Sequence, residues 1–246
     1  MSAVDVQDIA RASSDRFDLW TRFLNRIEAR RVAEIGVYRG AYAQRVLDAC
    51  PALETYYMID PWRHLDDWNK PANRGDDTFE RFYAETMDKT SAHDAKRVVL
   101  RGRTTEVIDQ IPDGSLDFAY IDGDHTLRGI SIDLLAVLPK VRDGGWIGGD
   151  DFARSIWQHG ADFEPTLVFP FAVYFAEATG TRIYGLPRKQ FLIERGADAF
   201  EFVDLTGKYG KLDLASQIAS RPAQPAAPNG RGPRARLTRW LGRRGA

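Results

Sequence analysis

Five short apolar runs, each closed at or near its end by glycine or aspartate, alternate with stretches whose apolar residues recur at helical spacing. The runs are RVAEIGV from Arg31, TYYMID from Thr55, RVVLRG from Arg97, LDFAYID from Leu116 and WIGGDD from Trp146. Between them lie AYAQRVLDAC, the charged amphipathic DDTFERFYAETMDKT with Asp76 or Asp77 near its cap, and TTEVIDQI. Leu127, Ile130, Leu134 and Val137 mark a helix beginning near Thr126 and broken by RDGG, and TLVFPFAVYFAEATG reads as helix despite Pro170. Strands alternating with helices predict a parallel sheet covered on both faces. RIYGLP and QFLIER then follow closely enough to pair antiparallel. Phe17, Trp20, Phe23, Leu24 and Ile27 share one helical face, so a helical segment over residues 1–30 precedes the sheet. The main domain runs over 31–196, an extension over 197–220, and a basic tail rich in Pro, Ala and Gly, expected to be disordered, over 221–246.

At 246 residues and 43% hydrophobic, the chain can bury a sizeable core. Its net charge of −1 gives no global sign of a nucleic-acid partner. The tail, however, holds seven arginines and no Lys, Asp or Glu, which leaves the remainder at −8. Leu237, Trp240 and Leu241 in that tail are spaced as a short amphipathic helix for an anionic membrane or an acidic partner; the plainer reading is a solubilising tail. The single cysteine, Cys50, excludes an internal disulfide and reads as a buried small hydrophobe. With no secretory leader and no apolar run of about 18 residues, a cytoplasmic chain is expected. A homo-oligomer is left open.

In a sheet of this kind, ligands bind beyond the carboxyl ends of the strands. Glu34, Asp60, Asp122, Asp150 and Asp151 all fall there. Five carboxylates on one rim repel one another unless something cationic lies among them. Gly36 and Gly40 permit a tight strand-to-helix turn and a close approach to a ligand, in a G-x-x-x-G spacing that lacks the third glycine of the dinucleotide fingerprint. A helix-packing role explains Gly40 equally well. Asp60, ending the second strand, is placed to accept hydrogen bonds from the two hydroxyls of a ribose.

Strand–Glu–x–Gly, MIDPW, YIDGDHT and GGWIGGDDF together resemble the class I S-adenosylmethionine-dependent methyltransferases over roughly Arg31 to Arg195. Within them the chain is similar to a small bacterial group related to the macrocin-type sugar O-methyltransferases. The resemblance implies an α/β, Rossmann-like, doubly wound and mostly parallel seven-stranded sheet with an antiparallel last strand. It implies that Glu34 and Gly36 hold the amino-acid end of S-adenosylmethionine, that Asp60 holds its ribose, and that RGRTTEV from Arg101, with Arg103 and Thr104, lies near its adenine; Gly40, from its spacing to Gly36, is a further cofactor-binding candidate. In metal-dependent relatives an acid ending strand four and a pair ending strand five bind a divalent cation; by position these are Asp122, Asp150 and Asp151, with Mg²⁺ as the expected ion. Asp124 matches the proposed general base of the sugar group. Where those enzymes continue with an apolar residue, Tyr and Glu, this chain has His125, Thr126, Leu127 and Arg128. His125 therefore either shares the base role or is an imidazole bonded to backbone at a helix start, and Asp150 and Asp151 are either ligands or a capping pair.

The expectation is a metal-assisted O-methyltransferase acting on a small polyhydroxylated acceptor such as a sugar or glycosylated metabolite. The alternatives are a metal-independent enzyme of the same fold, or a silent cofactor-binding or scaffold protein. Trp62 and Trp68 either anchor their loop or close over a substrate, and Tyr174 and Phe175 are expected in the core.

Overall fold

The computed structural model describes residues 3–160, 162–210 and 213–222. The tail beyond residue 222, with its amphipathic spacing, lies outside the described residues. The chain runs α1 (Ala3–Ala12), α2 (Arg16–Arg26), β1 (Arg31–Ile35), α3 (Ala41–Ala49), β2 (Thr55–Asp60), α4 (Asp76–Lys89), β3 (Arg97–Arg101) and α5 (Thr104–Val107). It continues with β4 (Leu116–Ile121), α6 (Leu127–Val137), β5 (Val141–Gly149), α7 (Val168–Thr179), β6 (Arg182–Leu186), β7 (Gln190–Glu194), β8 (Glu201–Asp204) and α8 (Leu214–Ala219).

One sheet holds the strands in the order β3-β2-β1-β4-β5-β7-β6-β8. The pairs β1/β2, β2/β3, β1/β4 and β4/β5 are parallel, and β7 pairs antiparallel with both β5 and β6. The sheet is thus α/β and mostly parallel, with the expected antiparallel β7. It has eight strands rather than seven. The eighth, β8, comes from the extension after residue 196 and pairs parallel with β6. Its four residues are too few to show a period of two.

Alternate strand residues feed two cores. Val32, Phe118 and Tyr120 face the layer made by α1, α2 and α3, while Ala33, Ile35, Ala119 and Ile121 face the layer of α5, α6 and α7. Trp20 and Phe23 of α2 pack on Phe118 at ring-centroid distances of 5.3 and 5.8 Å, so α2 lies across β4 as part of the core. Two expectations need correcting. RDGG does not precede β5 but lies inside it as a bulge, because Leu116 pairs with Val141 and Phe118 already pairs with Trp146. Tyr174 is 62% exposed: α7 buries Val168, Ala172, Phe175 and Ala176, and Tyr174 falls off that stripe. Cys50 is buried, as expected. No helix among the described residues is long and apolar enough to cross a membrane.

Candidate active site

The strand order reverses at β1, whose neighbours are β2 and β4, and the connections leaving β1 and β4 diverge there. Gly36 makes the crossing possible. Its φ is +89°, and a Cβ added to it would lie 2.3 Å from the carbonyl oxygen of Asp122. Around this point opens a cavity of about 700 Å³. Three non-glycine residues on the same rim, Tyr38, Trp62 and Asp151, hold left-handed φ values of 55°, 40° and 56°. Such conformations cost about 1–3 kcal/mol each and collect at functional sites.

One end of the cavity is built from β1 and β2. Glu34 is buried and accepts a 2.7 Å hydrogen bond from the Tyr56 hydroxyl. Burial pushes its pKa well above the usual carboxylate range, against the pull of that hydrogen bond. The Tyr42 hydroxyl beside it is buried without a partner. Asp60 accepts from the amides of Tyr38 (2.8 Å) and Trp62 (2.7 Å), one on each carboxylate oxygen. A carboxylate has about four lone-pair sites, so each oxygen keeps one for a diol. Burial raises Asp60 to about 6 despite those amide bonds. Arg103 and Thr104 also line the cavity. Arg103 is ion-paired with Asp67. Thr104 donates to the buried Asp133 at 2.6 Å, and burial raises Asp133 to about 7. Gly40 is placed differently: it caps α3 with its Cα face against Thr86 and is not among the lining residues.

The other end is built from the loops after β4 and β5, together with α2. The Arg16 guanidinium is hydrogen-bonded and ion-paired to Asp150, and lies 3.5 Å from Asp122. Even so, burial and the nearby Asp122 charge raise Asp150 to about 6. Asp151 turns to His125, whose Nδ1 donates to it at 2.6 Å, and to the Gln158 amide, also at 2.6 Å. His125 Nε2 is 3.4 Å from Asp122, near enough to feel its charge but without hydrogen-bond geometry, so a buried N–H is left unpartnered. Burial opposes charge on this ring, but the two carboxylates outweigh it and lift its pKa to about 10. His125 is an imidazolium at neutral pH and holds Asp151 well below the usual carboxylate range.

Asp124 lies beside them in the cavity wall. Its Oδ1 accepts from Trp68 Nε1 at 3.0 Å and from the Thr126 amide at 2.9 Å, and its second oxygen has no partner among the described residues. The carboxylate fits only because α6 carries Gly129 opposite: a Cβ there would lie 2.2 Å from Asp124 Cγ. Trp68 therefore reaches the site, whereas Trp62 is buried and anchors its loop by donating to the Tyr38 carbonyl.

The donor set of a divalent cation is not assembled here. Asp122, Asp150 and Asp151 meet at one rim, but Arg16 lies between the first two and His125 holds the third. Among the described residues, no group of three His, Cys, Asp or Glu is arranged to hold a metal ion. As placed, the residues do not fit Mg²⁺. The cations that offset the acidic rim are a guanidinium and an imidazolium of this chain.

Reading the sequence did not find Arg16, Lys70 or His159. Lys70 is buried, with its ammonium donating to the Glu164 carbonyl at 2.7 Å. His159 lines the cavity, and burial together with Lys70 depresses its pKa, so it is a neutral imidazole at neutral pH. All three come from loops or a helix first turn and carry no periodic signal. Only the conspicuous loop containing Trp68 hinted that Lys70 was near the site.

Comparison with known proteins agrees with this architecture. Residues 33–152 match the family model of a methyltransferase domain, which takes in the rim from β1 to the loop after β5. A Sinorhizobium fredii protein, y4gI, is 25% identical over 171 residues, covering 63% of this chain but only 17% of its own length. The chain thus spans about a sixth of the length of that relative. Among solved structures, a Staphylococcus aureus protein provisionally named a caffeoyl-CoA O-methyltransferase aligns with a TM-score of 0.56 at 13% identity, over 79% of this chain and 93% of that one. An O-methyltransferase from Bacillus cereus in complex with SAH aligns at 0.52 and 13%, over 79% and 82%. The SAH-bound Podospora anserina methyltransferase PaMTH1 aligns at 0.52 and 15%, over 78% and 86%. At these identities the likeness establishes a shared fold.

Proposed function

From the methyltransferase domain that spans residues 33–152, we propose that this chain transfers a methyl group from S-adenosylmethionine to a hydroxyl of a small polyhydroxylated acceptor, such as a sugar or glycosylated metabolite. The observation that carries the reading is that Glu34, Asp60 and Asp124 line one cavity of about 700 Å³. Glu34, Gly36 and the unpartnered Tyr42 hydroxyl suit the amino-acid end of the cofactor, and Asp60 suits its ribose diol. The acidic rim favours a cationic sulfonium ligand. Thr104 and Asp133 supply polar groups near an adenine.

At the acceptor end, the unengaged oxygen of Asp124 takes the proton of the reacting hydroxyl. The acceptor oxygen forms its bond to the methyl carbon as the carbon–sulfur bond breaks, and S-adenosylhomocysteine leaves neutral at sulfur. His125 is already protonated, so it does not take a proton. Its unpartnered N–H instead stabilises negative charge developing on the acceptor oxygen. Alignment of the two reactants in one cavity supplies much of the rate, worth about 7–11 kcal/mol in well-oriented systems.

A resident Mg²⁺, expected from the resemblance to metal-dependent sugar enzymes, is not part of this reading, because Arg16 and His125 stand where it would have to bind. The enzyme is proposed to act in the cytoplasm, on the strength of its single, unpaired cysteine. The test is a panel of hydroxylated acceptors incubated with methyl-labelled cofactor, first in EDTA and then in Mg²⁺. Label in a hydroxylated acceptor under EDTA is expected. Turnover that appears only with Mg²⁺ restores the metal reading, and label found solely on amines or thiols overturns the hydroxyl assignment.

A further inference from the structure

A second cavity, of about 550 Å³, lies behind the loop after β5. Its walls are that loop, the β6–β7 turn and the loop after β8. Among the described residues, four cations line it, Arg154, Arg188, Lys189 and Lys208, and no Asp or Glu does. The first cavity, by contrast, is lined by charges of both signs. Elsewhere in the fold many cations are neutralised: Arg63 by Glu106, Arg101 by Glu80, Arg142 by Asp117, Arg182 by Glu194. None of these four is ion-paired within 4 Å with a carboxylate among the described residues, although the Lys189 charge reaches Asp151. The Arg188 guanidinium is fixed by the carbonyls of Ser13 and Ser14, at 2.6 and 3.0 Å, which leaves its charge unopposed. The carboxylate at the end of β8, Asp204, is already committed to the amides of Thr206, Gly207 and Tyr209.

Two further features mark a built site. Arg188 and Lys189 are consecutive non-glycine residues with φ of 60° and 59°, a costly backbone that shapes the turn carrying both charges. Gln158, which also lines this cavity, donates to Asp151 while its Oε1 is buried with no partner, an acceptor suited to a hydroxyl rather than to an anion. The loop after β5 contributes to both cavities: Asp151 and His159 line the first, and Gln158, next to His159, lines the second. All four are solvent-exposed, so water screens their mutual repulsion, but a multivalent anion seated among them would gain from each, and arginine and lysine together recognise phosphoryl oxygens through charge-assisted hydrogen bonds.

We propose that the second cavity binds the phosphoryl group of the methyl acceptor, whose reacting hydroxyl reaches past Gln158 to Asp124. This rests on the methyl-transfer reading and narrows its acceptor to a phosphorylated polyhydroxyl compound. The site is tested by calorimetric titration of inorganic pyrophosphate into the full chain, wild type against an R154Q/K208Q double variant. Both proteins keep the arginine-rich tail, so any difference reports the cavity. Wild type is expected to bind, and the double variant to bind at least about tenfold more weakly with S-adenosylmethionine affinity unchanged. No pyrophosphate binding, or equal binding by both proteins, overturns the site even when S-adenosylmethionine binds normally. Failure of S-adenosylmethionine to bind is a failure of the methyl-transfer reading itself.

A second arm compares a sugar phosphate with the same unphosphorylated sugar as labelled-methyl acceptors. The phosphorylated form is expected to have a KM lower by about tenfold or more, and the double variant to erase that difference. Pyrophosphate binding without any preference for the phosphorylated acceptor would mean that the cavity serves a free anion, and would overturn the assignment to the acceptor.

Discussion

Replacing Arg16 by methionine removes the guanidinium while keeping a flexible apolar side chain over Phe17, which the guanidinium now covers at 5.0 Å. At about 4 Å and an effective dielectric near 20, one unit pair is worth roughly 4 kcal/mol. Arg16 is 37% exposed, however, so screening reduces the expected loss to about 1–2 kcal/mol. The sign depends on pH. Asp150 titrates at about 6 with Arg16 present, and burial already keeps it above the usual range. The attraction therefore exists only above about pH 6 and fades as Asp150 protonates. Without Arg16, Asp150 should titrate higher by about one unit, since 1.36 kcal/mol corresponds to one pKa unit. Urea unfolding at pH 7.5 and pH 5 measures both effects. The variant should lose about 1–2 kcal/mol at pH 7.5 and clearly less at pH 5, where only the 3.5 Å contact to Asp122 remains. Equal losses at both pH values would refute the claim that Arg16 neutralises this rim.

Other outcomes follow from the same geometry. Asp124→Asn should lower kcat by about 10²–10⁴ while leaving cofactor affinity unchanged, as stopped-flow or steady-state assays would show; an equal loss of cofactor affinity would place Asp124 at the wrong end of the cavity. Gly36→Ala should abolish cofactor binding or unfold the site, because its Cβ would meet the Asp122 carbonyl at 2.3 Å; circular dichroism separates the two outcomes. Cofactor affinity should fall below pH 6, because only ionised Asp60 accepts both ribose hydroxyls. With a free-protein pKa of about 6, roughly one molecule in ten is ionised at pH 5, so Kd should be about tenfold higher there than at pH 7.5.

The alternation of strand and helix was legible because burial on both sheet faces imposes it locally. The acids at the strand ends were legible for the same reason: each follows directly from where an apolar run stops. What binds to those acids was not. Arg16 reads as an ordinary first-turn residue after the Asp15 cap, and its pairing with Asp150 spans 134 residues. The contact exists because Trp20, one turn further along α2, donates to the buried Gln190 at 2.7 Å, and Gln190 in turn holds Asp150 at 2.6 Å. No period or spacing in the chain reveals such a relay. His125 shows the same limit: its identity suggested a base, but two carboxylates brought together by folding make it a cation. Gly40 was read as either a ligand glycine or a helix-packing one, and folding sets it against Thr86 of α4.

The central claim, that the cavity between β1, β2 and β4 is an S-adenosylmethionine site, is tested most directly by calorimetric titration of S-adenosylmethionine into EDTA-treated wild type and Asp60→Ala. Wild type should bind one equivalent without added metal. Asp60→Ala, folded by circular dichroism, should bind about tenfold to a hundredfold more weakly, since charge-assisted hydrogen bonds contribute roughly 1.5–3 kcal/mol. No binding by wild type, or equal affinity in the folded variant, would contradict the account.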